Sequence, residues 1–387
     1  MAPGKDDQKS TVASAQSIMI SANSFWNITN FRAQLVEALA GLGHPLWIVT
    51  PSADADWAKA RGADIIDISV DRSGLNPIRD VMLWRSYVKL FRTYRPAFYL
   101  GFTVKPNIYG CLAAGTSGVI ALPNVSGLGT AFMNDGPLSR LVTSLYRRAF
   151  HHCPMVFFQN PDDRELFLER AIIRREQANL LPGSGIDLVR FAAQPPPPDD
   201  GELRFLLIAR LLGDKGVREF VDAARLLRED YPRWRFQLLG DLDPDNRSGI
   251  PADELHRWTS AGLVEHLGHA DDVRPYIAGA TAVVLPSYRE GLPRSLLEGA
   301  AMARPLIATD VPGNRQLVAH AVTGLLCDVR NPLSLAGAMR HLGTMDREQR
   351  ARMGRAGREM VERHFGTDQV VRIYLEALRQ LATTTRV

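Results

Sequence analysis

Short apolar runs alternate with helix-like segments along most of this chain, and the alternation is interrupted once. The first series of runs covers 17–21, 45–49, 63–66, 97–100, 119–122 and 155–158. Strands separated by stretches long enough for a helix pair in parallel, because a parallel neighbour is reached only through a crossover. The series stops at the turn Leu181-Pro182-Gly183-Ser184-Gly185, and Pro195 to Pro198, followed by Asp199 and Asp200, read as a stiff exposed linker. A second series covers 204–208, 235–239, 282–285, 305–308 and 324–327, with helices around 216–229, 294–303 and 333–342. At 387 residues the chain is longer than one ordinary domain. The reading is an α/β protein with two domains, 17–182 and 204–366, joined by a turn and linker at 183–203. A last helix-like segment within 367–387 could pack on either domain, the first included. Residues 1–16 are polar, lack the apolar stretch of a secretory signal and read as a disordered tail, which makes the expected location cytoplasmic.

Composition narrows the function classes. With 45% hydrophobic and 23% charged residues the chain is ordinary for a globular protein, and no apolar run approaches the ~18 residues of a spanning helix. Cys111, Cys153 and Cys327 are odd in number and widely spaced, which fits neither a disulfide framework nor a zinc site. The net charge of +4 suits weak attraction to anions, but the basic residues are dispersed and carry no nucleic-acid motif.

Chemistry concentrates where strands end, which is where ligands bind in open parallel sheets. After the run at 204–208, Arg210 and Lys215 fall just ahead of a helix N-terminus, a grouping suited to a diphosphate. After the run at 282–285, Glu290 and Gly291 form a turn, Pro293 takes the first helical position, and Glu298 follows with seven residues between the two glutamates. Carboxylates accept hydrogen bonds from vicinal hydroxyls, and the free backbone N–H groups of Gly291 and Leu292 suit a phosphate or sugar oxygen. Spacing alone equally fits a capping glutamate and an exposed helical one. The pairs Asp241/Asp243 and Asp243/Asp245 look like metal-binding acids but read as a surface loop, so no metal is expected.

This pattern resembles the retaining glycosyltransferases of family 4, from about residue 17 to the C-terminal helix. The resemblance rests on the Glu-x7-Glu of Glu290 and Glu298 and on the turn Pro182-Gly183-Ser184-Gly185-Ile186-Asp187. It implies the GT-B fold, two Rossmann-like domains facing a central cleft. It implies donor contacts from Arg210, Lys215, Leu267, Gly268, Glu290, Gly291, Leu292 and Glu298. Of these, Arg210 and Lys215 would grip the diphosphate, Glu290 the sugar, Glu298 the ribose, and Leu267-Gly268 the base. Arg210, Lys215 and Glu290 would form the catalytic group. The first half is most similar to bacterial members that extend polyprenyl-diphosphate-linked glycans, in Asn23 to Asn27, Lys105 to Gly110 and Asn124 to Gly129. That similarity implies acceptor contacts from Asn23, Phe25, Trp26, Asn27, Lys105, Asn107, Asn124 and Ser126. Three positions depart from the family: Asn23-Ser24 replaces a common Gly-Gly, the stretch from Asn124 to Gly129 lacks a common histidine, and Gln316 replaces a common glutamate.

The expected activity is transfer of a hexose or N-acetylhexosamine from a nucleoside-diphosphate sugar, UDP-linked, to a surface polysaccharide or lipid-linked oligosaccharide, with no bound cofactor. A sugar-nucleotide epimerase of similar architecture and a non-catalytic nucleotide-sugar-binding module are the alternatives. The helix-like segments at 79–94 and 138–149 combine apolar positions with Arg79, Arg85, Lys89 and Arg92, and with Arg140, Arg147 and Arg148. They fit either peripheral contact with an anionic inner leaflet or a core-facing stripe with a solvated basic face. A monomer or weak dimer is expected.

Overall fold

The computed structural model describes residues 16–71, 76–128, 132, 136–198 and 201–384. Residues 1–15 of the expected 1–16 tail, Gly129, and the linker acids Asp199 and Asp200 lie outside the described residues. The chain forms two compact units, one running to Gly185 and resumed at Thr367, the other Ile186–Gly366.

The first unit is built on seven parallel strands: β1 (Ile18–Ser21), β2 (Leu46–Thr50), β3 (Asp64–Asp67), β4 (Phe98–Phe102), β5 (Ile120–Val125), β6 (Val156–Phe158) and β7 (Ala178–Leu180). Their order is β3-β2-β1-β4-β5-β6-β7. Both faces of the central strands are covered, so β1, β4 and β5 are apolar on both sides, whereas the edge strand β3 exposes Asp64 and Asp67. Ile18, Ile20, Ile48 and Leu100 pack in one core cluster, and Met19, Val49, Tyr99 and Ala121 in the other. The Thr367–Thr384 helix belongs to this unit, burying Val370, Tyr374, Ala377 and Leu378 against the face that carries Ile18 and Ile20. Those positions recur at one helical stripe.

The second unit has six parallel strands: β8 (Arg204–Ile208), β9 (Arg235–Leu239), β10 (Glu265–His266), β11 (Ala282–Leu285), β12 (Leu306–Thr309) and β13 (Gly324–Cys327). Their order is β10-β9-β8-β11-β12-β13. Both sheets therefore run outward in opposite directions from a central pair, β1/β4 and β8/β11, and the crevice at the carboxyl ends of such a pair is where this topology binds ligands.

The prolines read as an interdomain linker are instead held along the second unit. Ile186 bridges to Gly366, Phe191 enters the core, and the buried guanidinium of Arg304 donates to the carbonyls of Gln194, Pro195, Ile277 and Ala278. Arg358 adds a bond to Phe191 O at 2.7 Å, and Arg347 one to Pro196 O. Proline lacks the N–H that would let this segment join a sheet, so arginine donors capture its carbonyls.

Candidate functional site

In the second unit the carboxyl ends of β8 and β11 are drawn together by their loops. Gly216, at φ +73°, lies so close to the Pro286 carbonyl that a Cβ would collide with it; only glycine combines that conformation with that approach. Tyr288 N donates to Asp214 O at 2.9 Å, and Tyr288 Oη donates to Glu219 at 2.6 Å. Burial, followed by the Glu219 carboxylate, pushes the Tyr288 hydroxyl up to about 12, so it stays a donor. This strap fixes Lys215 opposite Glu290, with Nζ and Oε1 2.7 Å apart and both half-buried or deeper. Beneath it, Thr309 donates to Ser287 O, and Asn314 donates to Thr309 O at 3.0 Å.

Glu290 precedes the Arg294–Ala301 helix, with Pro293 as its cap rather than its first turn. Pro293 has φ −72° and ψ 122°, an extended geometry that leaves the helix to begin one residue later than the sequence suggested. Glu298 is buried on that helix and accepts from Arg294 Nε at 2.8 Å, a partner the sequence reading did not name. Burial holds the Glu298 carboxyl above the ordinary glutamate range, against the opposing pull of Arg294 and Arg190. An i, i+4 arginine was the available signal.

Arg210 stands at the end of β8, exposed, with its guanidinium donating to Asp243 at 2.7 Å. The acids of the 241–245 loop are thus engaged: Asp243 by Arg210, and Asp241 by His269 at 2.9 Å. Leu267 N donates to Leu238 O, and Gly268 O accepts from Gly240 N, so the Leu267-Gly268 backbone edges the same end of the sheet. Gly291 is buried and Leu292 half-buried at the mouth of the helix, and Gln316 lies half-buried in a short 3-10 turn after β12.

The first unit carries a pocket of about 200 Å³ at the carboxyl ends of β1, β4 and β5. It brings together Asn23, Lys105, Asn107 and Ser126 of the expected acceptor residues, with Asp71, Thr103 and Tyr146 added. Asn23 N donates to Thr103 Oγ1 at 3.2 Å, tying the ends of β1 and β4. Thr103 sits at φ +69°, a strained conformation for a residue with a Cβ and one that clusters at sites. Lys105 is paired with Asp80 at 2.7 Å, and Asp80 also accepts from Tyr109. Asn107 donates to Asn124 O, and Asn124 donates to Tyr374 Oη at 2.8 Å, so Asn124 supports the pocket from behind. Phe25 packs edge-on against Trp57, Asn27 N is held by the Ser24 cap, and Trp26 is exposed. These three do not line the pocket. Neither do His151 and His152, whose rings pack against one another at 4.7 Å.

Comparison with known proteins agrees with this architecture. Residues 202–344 match the family described as Glycosyl transferases group 1. The chain is 26% identical to the N,N'-diacetylbacillosaminyl-diphospho-undecaprenol alpha-1,3-N-acetylgalactosaminyltransferase of Campylobacter jejuni, over 80% of this chain and 85% of that protein. It is also 26% identical to the putative colanic acid biosynthesis glycosyltransferase WcaL of Escherichia coli, over 51% of this chain and 49% of that one. Among solved structures, it is similar to the sucrose-phosphate synthase of Thermosynechococcus elongatus, with TM-score 0.78 and 20% identity over 95% of this chain and 100% of that one. The Anabaena protein HepE in complex with UDP and glucose gives TM-score 0.76 and 17% identity, over 94% and 99%.

Proposed function

From the premise that this chain is a glycosyltransferase of the GT-B fold carrying a glycosyl transferases group 1 domain, we propose that it moves a hexose or N-acetylhexosamine from a UDP-sugar to a lipid-linked glycan, with retention, at the inner face of the membrane. The observation that carries this reading is the Lys215–Glu290 pair, 2.7 Å apart, set between the carboxyl ends of β8 and β11. In transfer, the bond from the sugar's anomeric carbon to the diphosphate breaks, and negative charge gathers on the leaving oxygen. Lys215 and Arg210 are the fixed cations to meet it, and a preorganised charge acts most strongly where water is limited. Glu290, beside Lys215, would accept from the sugar hydroxyls, and Glu298 from the ribose. The acceptor hydroxyl's proton passes to the leaving diphosphate on the same face, which requires no histidine in the Asn124 stretch.

Incubation with a panel of UDP-sugars and a polyprenyl-diphosphate-linked acceptor tests the reading by mass spectrometry. The expected product gains one hexose or N-acetylhexosamine in the donor's anomeric configuration. Interconversion of the sugar nucleotide without acceptor would instead identify an epimerase, and nucleotide binding without turnover a binding module.

A further inference from the structure

Glu298 is 9% exposed, and Arg294, one turn earlier on the Arg294–Ala301 helix, donates to its Oε1 from Nε at 2.8 Å. Among the described residues no other donor reaches the Glu298 side chain, so Oε2 keeps its full accepting capacity. A long arginine side chain ordinarily samples many rotamers, but this one is confined. Its guanidinium lies over the Phe191 ring, 5.6 Å from the ring centre, and the Arg190 guanidinium lies over the same ring at the same distance. Phe191 is buried, and its carbonyl accepts from Arg358 at 2.7 Å, so the ring is a fixed platform. A cation held over such a ring gains most where water is limited. Asp272, just ahead of the Arg274–Gly279 helix, is the acid on the far side of the group. It is paired with Arg274 at 2.7 Å, and Arg274 also donates to Arg190 O, so Asp272 has its own arginine and does not draw on Arg294.

We infer that Arg294 is a positioning residue for nucleotide binding: steadied by Phe191, it holds the Glu298 carboxylate by one oxygen and leaves the other to accept from the ribose diol. This rests on the proposed reading that Glu298 meets the ribose. Arg294 itself touches neither the reacting atoms nor the diol; it acts through Glu298. A vicinal diol offers two donors, and a carboxylate matches them only while ionised, because a protonated carboxyl gives up part of its accepting capacity. Burial pushes the Glu298 carboxyl above the ordinary glutamate range, Arg294 and then Arg190 pull it back, and Asp272 pushes it up again. With Arg294 gone, Arg190 alone opposes burial. The carboxyl then takes up its proton at higher pH, and nucleotide affinity is lost from that higher pH downward.

The test is calorimetry of the full chain with UDP and with dideoxyuridine diphosphate, which lacks both ribose hydroxyls, at neutral pH and at a series of lower pH values. The wild type is expected to prefer UDP by roughly tenfold or more, the worth of hydrogen bonds to a charged acceptor. Arg294→Met should bring the two ligands within about threefold of one another. What UDP affinity it keeps should be lost at higher pH than in the wild type. Arg294→Lys, which restores the charge, should restore the preference for UDP and the wild-type pH profile. Far-ultraviolet spectra show which variants are folded. Should Arg294→Met not fold, Arg294→Gln carries the test, since it keeps a donor, loses the charge and should show the same shift in pH profile. A wild-type preference and pH profile in the folded Met or Gln variant, with the preference abolished in Glu298→Gln, overturns the inference alone. A preference that survives Glu298→Gln, or a wild type that shows none, removes the ribose reading and the inference with it.

Discussion

Glu290 and Glu298 flank the start of one helix and differ in what surrounds them: a lysine 2.7 Å away for the first, near-complete burial beside an arginine for the second. If Glu298 holds the ribose, Glu298→Gln should weaken UDP about tenfold or more, while Glu290→Gln should leave UDP affinity unchanged and depress transfer, since free UDP has no sugar for Glu290 to meet. Calorimetry beside initial rates distinguishes the two, and equal losses of UDP affinity would sink the assignment. The pH dependence has a defined sign. A carboxyl whose pKa is raised on folding lowers stability above that pKa, and the cost disappears as pH falls through it. Glu298→Gln should therefore keep or raise Tm at neutral pH. It should also abolish the extra loss of UDP affinity expected of the wild type on the acid side, above the ordinary glutamate range. Arg210 and Asp243 give a third expectation. Their exposed ion pair is worth about 0–1 kcal/mol, so a diphosphate can take the arginine at little cost. Asp243→Asn should leave transfer within a few-fold of wild type, and activity should survive EDTA. Abolition by EDTA with recovery in manganese would return a metal role to this loop.

Among the elements, the strands and the amphipathic helices were legible because their patterns are local. The helix expected around 216–229 is Val217–Leu227, with Phe220, Val221, Ala224 and Leu227 buried. The Arg347–His364 helix was not read, because it is polar almost throughout and shows the core only Ala351, Met353, Gly354, Gly357 and Val361. β7 and β10 were missed because strands of three and two residues carry no period. The 194–196 segment read as a linker because prolines look alike whether solvated or pinned; what pins them is Arg304, 110 residues away in sequence. Burial lowers the Arg304 pKa to about 10, so it remains charged at neutral pH, and the carbonyls of Gln194, Pro195, Ile277 and Ala278 depend on it. Arg304→Met should cost about 3 kcal/mol or more, read by denaturant unfolding, because those carbonyls lose a charged donor. Hydrogen exchange at the Gln194 amide, which bonds Met302 O, should rise first.

For the molecule as a whole, the Thr367–Thr384 helix matters most, since it closes the first unit after the chain has built the second. Removing it exposes the surface that Val370, Tyr374, Ala377 and Leu378 cover. At ~1.5–3 kcal/mol for a large side chain, that is comparable with the whole stability of a domain. A chain ending at Gly366 should lose the thermal transition of the first unit and keep UDP binding in the second. Tyr374→Phe is the milder version: Asn124 is left with an unpaired buried N–H, costing about 1–3 kcal/mol, and acceptor use should suffer while UDP affinity does not. Retained acceptor transfer by the truncated chain would count against this division.

The sequence by itself determined the parallel α/β class, the two series of strands, and the strand-end positions of Arg210, Lys215, Glu290 and Glu298. Each of these follows from periodicity or from residues close along the chain. Only the tertiary structure decided partners across long separations: Lys215 with Glu290, Arg304 with the proline segment, Asn124 with Tyr374, and Asp80 with Lys105. Charged side chains obey no period, and their partners are set by which loop ends the folded sheets bring within about 3 Å.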